Sequence, residues 1–251
     1  MEQKLSFELG AQVGADAHFG LIVLQSDETL EYEFAQVFSK PEWSLHTSRV
    51  KSGDEVTVET LAEMENDLTG AAGLFPKSAR CDVVGYGCTS GTSVIGAKRI
   101  ADLVRLGCHT IHVTEPVSAL VAACKAMGVK RLAFLSPYIG EVSQTLRQVL
   151  VEQGLDITVF GSFQEQLEEN VARITPSSVV SASQKLVSEQ NVDALFLSCT
   201  NLQSFSIVEE LEQSLQCPVL SSNLVLAWHM MTLAGMCSHR TDMGSLLREH
   251  Y

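Results

Sequence analysis

Two of the seven cysteines in this chain, Cys88 and Cys199, stand apart from the rest. Each closes a short apolar run, each is followed by Thr, and they lie 111 residues apart. A thiolate can add to an electrophilic carbon or take a proton from one, so two thiols facing one small acid support cis–trans isomerisation or racemisation. Around the first, the chain reads Gly85-Tyr86-Gly87-Cys88-Thr89-Ser90-Gly91-Thr92-Ser93. A strand ends in small residues, the chain turns, and a helix opens at about Thr92. Unpaired N–H groups at a helix start suit a carboxylate and favour thiolate over thiol. Glycines 85, 87 and 91 allow close backbone approach and positive φ. The plainer alternative for Cys88 is a buried small hydrophobe beside a helix cap. Leu197-Ser198-Cys199-Thr200-Asn201 repeats the arrangement with fewer glycines. Backbone N–H groups after each cysteine (Thr89 and Ser90, Thr200 and Asn201) would stabilise enolate-like charge. The other five, Cys81, Cys108, Cys124, Cys217 and Cys237, precede a strand, lie in a helix or flank elements, and read as buried hydrophobes.

The elements that must position these thiols alternate along the chain. Apolar runs at 21–25, 45–50, 83–86, 110–113, 132–136, 157–160, 194–198 and 219–221 predict strands. Helical patterns at 55–70, 92–106, 116–126, 140–153, 177–189, 205–215 and 224–233 lie between them. Several runs are apolar on consecutive positions, as strands covered on both faces require, so the fold class is α/β with parallel sheets. The 111-residue offset is also an internal repeat: it lays Asp82 on Asp193, Cys88-Thr89 on Cys199-Thr200 and Gly20–Leu24 on Arg131–Leu135. Further on, 113–128 matches 220–235 at an offset of 107. Two pseudo-symmetric α/β lobes follow, 1–115 with 216–251, and 116–215. Each offers one Cys-Thr at a strand's carboxyl end, facing a cleft between the lobes. The same offset lays Asp27 on Tyr138, both at strand ends near that cleft. Tyr138 reads as a hydrogen-bond donor to substrate or as an amphipathic residue at a lobe boundary. Asp27 reads as a site residue or as the cap of the helix that follows it.

Composition bounds the rest. Thirty acidic against 17 basic residues give a net charge of −13, which predicts neither nucleic-acid nor anionic-membrane binding. Residues 1–10 carry no basic flank followed by an apolar run, and no span is long and apolar, so a cytoplasmic protein is expected. An odd number of cysteines without CxxC spacing agrees with that compartment. His46 and His112 fall in strand patterns, His229 in a helix, and His18, His109, His239 and His250 in loops or tails. No cluster has metal-ligand spacing, so neither a metal nor a cofactor is expected, and the chemistry is left to side chains. The partner expected is a small carboxylic acid, and a homo-oligomer is compatible with the sequence.

Gly-Cys-Thr-Ser-Gly-Thr at 87–92, Ser-Pro-Tyr at 136–138, Ser-Cys-Thr at 198–200 and the segment from Trp228-His229 to Leu233-Ala234-Gly235 resemble the maleate cis-trans isomerase and arylmalonate decarboxylase group of the aspartate/glutamate racemase superfamily. The resemblance runs from about Gly20 to Leu247. Asp27 after Leu-Ile-Val-Leu, and Trp228-His229, look most like its ectoine-utilisation branch. The resemblance implies that Cys88 is the nucleophile, Cys199 the second thiol and Tyr138 a ligand of a substrate carboxylate. A lone catalytic cysteine at the place of Cys199 marks the decarboxylases, so Cys88 argues against that reaction. Asp27 and Glu168 stand where maleate isomerases have Asn, with Asn170 two residues from the second position. Carboxylates there would repel a dicarboxylate and suit an amino or amide group at one end of the substrate. The implied function is a cofactor-independent two-cysteine isomerase or racemase, with an arylmalonate-type decarboxylase or a non-catalytic small-acid binding protein as alternatives.

Overall fold

The computed structural model describes residues 2–78, 80–237 and 240–250. Eight strands form two four-stranded parallel sheets. The first holds β1 (Ala17–Leu24), β2 (Trp43–Val50), β3 (Cys81–Gly87) and β4 (Thr110–Thr114) in the order β2-β1-β3-β4. The second holds β5 (Arg131–Tyr138), β6 (Asp156–Glu165), β7 (Ala194–Leu197) and β8 (Val219–Ser221) in the order β6-β5-β7-β8. The two orders are the same once β1 is matched to β5. Both central strands of each sheet are apolar on successive residues, and β7, Ala-Leu-Phe-Leu, is wholly buried. Helices on both faces explain that continuous pattern. Each expected strand is present, and the α/β class stands.

The repeated aspartates do one job twice. Asp82 accepts from the His18 amide at the start of β1 at 2.8 Å, and Asp193 accepts from the Arg131 amide at the start of β5 at 2.8 Å. Each anchors the strand beside it in its sheet.

Three expectations are corrected. First, β8 pairs with β7, Leu197 opposite Ser221, so residues 219–221 complete the second sheet although 216–251 was expected with the first lobe. The chain then returns: the helix Ser222–Leu233 lies against β3, with Met230 over Gly85, where a Cβ would come within 2.5 Å of its sulfur. Second, the single helix expected at 92–106 is two, Thr89–Ile95 and Ala97–Gly107, broken at Gly96 with φ +91°. Gly85, Gly87 and Gly91 serve close approach rather than positive φ. A Cβ on Gly87 would stand 2.2 Å from Leu30 of the helix Leu30–Val37, which could not then close over β3. Third, His18 lies within β1 rather than a loop, its ring 2.7 Å from Ser44 Oγ. His239 lies outside the described residues.

Among the described residues no helix is long and apolar enough to cross a membrane.

Candidate active site

Both cysteine loops arise at carboxyl ends of central strands, β3 and β7, and the fold turns them toward each other. Four side chains fasten them. Thr200 donates to the Gly87 carbonyl at 3.2 Å. Ser222, fully buried, accepts from the Cys199 amide at 3.0 Å and pairs with the Thr89 hydroxyl at 2.7 Å. Glu33, on the helix Leu30–Val37, accepts from the amides of Ser204 and Phe205 at 2.6 and 2.8 Å and from Asn223 at 2.7 Å. Asn223 in turn holds the Thr200 carbonyl at 2.8 Å. Sequence reasoning missed Ser222, Glu33 and Asn223, whose partners lie 23 to 190 residues away.

Cys88, Thr89, Ser90, Tyr138, Glu168, Cys199, Thr200 and Asn201 line one buried cavity, closed over apolar Leu24, Val56 and Leu61. Its free volume is about 10 Å³, the size of one water. Asp27 is not among the lining residues. It caps the helix Leu30–Val37, its Oδ1 accepting from the Thr29 and Leu30 amides at 2.8 Å each, while its Oδ2 is buried without a partner. Asn170 binds Glu165 at 3.2 Å, so Glu168 is the residue of that segment that faces the thiols.

The two thiols are held differently. Cys88 is the N-cap of Thr89–Ile95, and its sulfur accepts from the Gly91 amide at 3.1 Å. Cys199 adopts φ +126°, a strained backbone for a non-glycine residue, and its sulfur accepts from the Asn201 amide at 3.3 Å. The Tyr138 hydroxyl lies 2.9 Å from that sulfur and donates to Glu168 Oε1 at 2.8 Å. A phenol has one hydrogen, so while Glu168 accepts it the Cys199 S–H must point at the phenol oxygen. The result is a directed chain from thiol to phenol to carboxylate. Asn201 fixes the far end, giving its amide to Glu168 Oε2 at 2.9 Å and accepting from the Glu28 amide at 2.9 Å. Residues 54–56 strap the Glu168 segment down through Asp54 O to Glu168 N and Gln166 O to Val56 N, both 3.1 Å.

Electrostatics correct a further expectation. The helix start was expected to favour thiolate at Cys88, yet burial pushes that thiol up to about 12, with the Gly91 amide opposing and the charges of Glu168 and Asp27 adding to the rise. Burial, then Glu168, raise Cys199 well above its ordinary value. Burial also raises Asp27 and Glu168. The physical reason is the absence of a compensating cation: among the described residues no Lys, Arg or His lines the cavity. Arg49 is turned to the carbonyls of Leu24, Gln25 and Asp27 and to Glu31. Outside the cavity, sharing Glu168, lies a wider pocket of about 550 Å³ that carries Glu28, Asp54, Glu55 and Glu169 as well.

The arylmalonate decarboxylase family profile matches residues 95–247. A maleate isomerase of Geobacillus stearothermophilus is 25% identical over 93% of this chain and 99% of its own length. One from Nocardia farcinica is 26% identical over 92% and 95%. Among solved structures, the Nocardia farcinica maleate cis-trans isomerase, as a cysteine-to-serine variant with a covalently bound succinylcysteine intermediate, superposes with a TM-score of 0.84 at 25% identity over 94% of this chain and 99% of that one. A liganded arylmalonate decarboxylase variant in which a glycine became cysteine and a cysteine became serine gives 0.82 at 25% identity over 93% and 99%. The profile covers more than half of the chain, and the fold agrees with it: the chain belongs to the maleate isomerase and arylmalonate decarboxylase family.

Proposed function

We propose that this protein is a cofactor-independent isomerase in which Cys88 and Cys199 act together on a small carboxylic acid. One observation carries the reading: thiols from two different lobes line a single closed cavity, each at the start of a run of backbone N–H groups. In cis–trans isomerisation the Cys88 thiolate adds to the alkene carbon β to the substrate carboxylate, forming the C–S bond. The π electrons move onto the carboxylate as an enediolate, which the amides of Thr89 and Ser90 stabilise. The former double bond rotates, the carbanion expels the thiolate, and the trans acid leaves. The succinylcysteine of the Nocardia relative supports covalent addition of a thiol in this fold. Cys199 keeps its proton, directed by Tyr138 and Glu168, while the enediolate rotates. A decarboxylase is the related alternative, and a thiol at Cys88 as well as at Cys199 favours the isomerase.

The substrate we infer is an acid with an amino or amide group at its second end. Five carboxylates flank the cavity and its outer pocket, and among the described residues no cation lines either. A dicarboxylate would meet repulsion at Glu168, whereas an ammonium there would offset the acids and lower both thiols toward ionisation. Asp27 and Trp228-His229 support placement in the ectoine-utilisation branch, whose substrates would be of this class. Seven unbridged cysteines support a cytoplasmic location.

The test is incubation in deuterated water with maleate, substituted malonates, amino-acid enantiomers and ectoine-derived diamino acids, followed by NMR. Alkene isomerisation without carbon-bound deuterium is expected. Deuterium at an α-carbon would assign racemisation, loss of a carboxylate decarboxylation, and no change with any acid a binding protein. Cys88→Ser and Cys199→Ser should each abolish turnover and stay folded. Full activity in both would refute the two-thiol reading.

A further inference from the structure

Tyr86 lies on β3, opposite Ile22 of β1, and is fully buried. It does not line the cavity, yet its hydroxyl ends beside the cavity's first thiol. The geometry is fixed by Gly91: the point where a Cβ on that residue would stand is 2.6 Å from the Tyr86 oxygen, 2.8 Å from the Met64 methyl and 2.9 Å from the Cys88 sulfur. Phenol, thioether and thiol converge on the space that the absent side chain leaves open. The hydroxyl's hydrogen bond is to Met64 Sδ, at 3.6 Å. A thioether is a weak acceptor, and a buried phenol ordinarily finds a strong one. The group within its reach that can become strong is the Cys88 sulfur, as a thiolate.

We propose that Tyr86 is a positioning residue for Cys88: its hydroxyl donates a hydrogen bond to the sulfur from the buried side and holds it as the thiolate. The resting thiol leaves the phenol poorly satisfied, and ionisation satisfies it, so the arrangement favours the reactive form. The Tyr86 hydroxyl indeed opposes the upward push of burial on Cys88. The repeat did not supply this group, because the 111-residue offset lays Tyr86 on Leu197. The second thiol meets its phenol, Tyr138, from the end of β5 instead, and that phenol is committed to Glu168. Among the described residues Tyr86 has no carboxylate partner, so its hydrogen, held only by the weak Met64 thioether, can turn to the Cys88 sulfur.

The inference rests on Cys88 being a reacting thiol, and its test separates the two. Alkylation of Cys88 by iodoacetamide, without substrate and resolved by peptide mass, is followed against pH in the wild type and Tyr86→Phe. The variant should shift the Cys88 profile upward by about one pH unit and lower kcat about tenfold, the worth of a hydrogen bond to a charged group, with KM little changed. Its melting temperature should hold or rise, because the hydroxyl leaves only a thioether behind. Met64→Leu, which removes the other partner, should leave the Cys88 profile in place. An unmoved profile in Tyr86→Phe, an equal shift in Met64→Leu, or loss of folded protein in Tyr86→Phe would each overturn the proposal. If Cys88→Ser stays active while Tyr86→Phe still shifts alkylation, the functional reading fails and this contact stands.

Discussion

Replacing Glu168 by Gln isolates what one buried charge does to two thiols. A single hydroxyl, that of Tyr138, lies 2.8 Å from Glu168 Oε1 and 2.9 Å from the Cys199 sulfur, which places charge and sulfur about 5 Å apart. At an effective dielectric of about 20 the repulsion between carboxylate and thiolate is ~3 kcal/mol, or about two pKa units. Glu168 also stands first among the charges that raise Cys88. Gln keeps the size and much of the hydrogen bonding, and Asn201, held by the Glu28 amide, still fixes one end. Both thiols should therefore ionise at lower pH in Glu168→Gln. Near neutrality the thiolate fraction of Cys199 grows by about a hundredfold. A less basic thiolate is a weaker nucleophile, with a Brønsted slope of about 0.4–0.5, so the alkylation rate should rise about tenfold. Peptide-resolved iodoacetamide kinetics on Cys88 and Cys199 measure this directly. Turnover should fall meanwhile, because the proton acceptor behind Tyr138 is gone. Slower or unchanged alkylation of Cys199 would refute the electrostatic account of the site.

Other outcomes follow from the same contacts. Ser222→Ala leaves the buried Cys199 amide without its acceptor and should cost about 1–3 kcal/mol, a fall of several degrees in melting temperature, with kcat reduced in the NMR assay. Burial raises Asp27, Glu33, Glu115 and Glu168 in the folded protein. Above the ordinary carboxyl value the folded state thus binds more protons than the unfolded one, and these groups' contribution to stability is lost as pH rises through their raised values. Melting temperature should accordingly climb on going from neutrality to about pH 5, and calorimetry across that range checks it. Glu33→Gln should flatten part of that climb. Saturation with an amino-bearing acid that binds should lower the pH at which both thiols react, whereas maleate should raise it; alkylation in the presence of each acid distinguishes them.

The sequence carried the parts of this site that depend on local pattern. Cys88 and Cys199 were legible because a strand-end Cys-Thr recurs at one offset together with Asp82 and Asp193, and those aspartates turn out to anchor equivalent strands. Thr89, Ser90, Thr200 and Asn201 came with them as neighbours in the chain. Glu168 entered through family resemblance alone, since nothing in Leu167-Glu168-Glu169-Asn170 marks one acid over the next. Its placement comes from the strap of residues 54–56, a contact across more than a hundred residues. Ser222, Glu33 and Tyr86 had no signature: a buried Ser, a helix Glu and a strand Tyr acquire their roles only when two lobes close. Asp27 shows the opposite case, where its local capping role was readable and its position outside the cavity lining was not.

A twofold repeat begins with two equivalent thiols, and addition–elimination chemistry needs two unequal ones. The lobes break the equivalence with a few side chains. In the first, a glycine-rich turn gives the Cys88 sulfur the Gly91 amide and, in our proposal, the Tyr86 phenol as well, both donors that favour the anion. In the second, a strained backbone aims Cys199 at a phenol already committed to Glu168, an acceptor that orients the S–H hydrogen outward along the chain. In the proposed mechanism the charge therefore forms at Cys88 and the proton stays at Cys199. Exchanging the roles would require Tyr138 to give up a carboxylate and Tyr86 to gain one. Glu168→Gln and Tyr86→Phe should therefore change the thiols in opposite senses, the first easing ionisation and the second hindering it. In the double variant the Cys88 shift should fall between the two, because one substitution removes a repulsive charge and the other a donor, and they reach the sulfur from different sides.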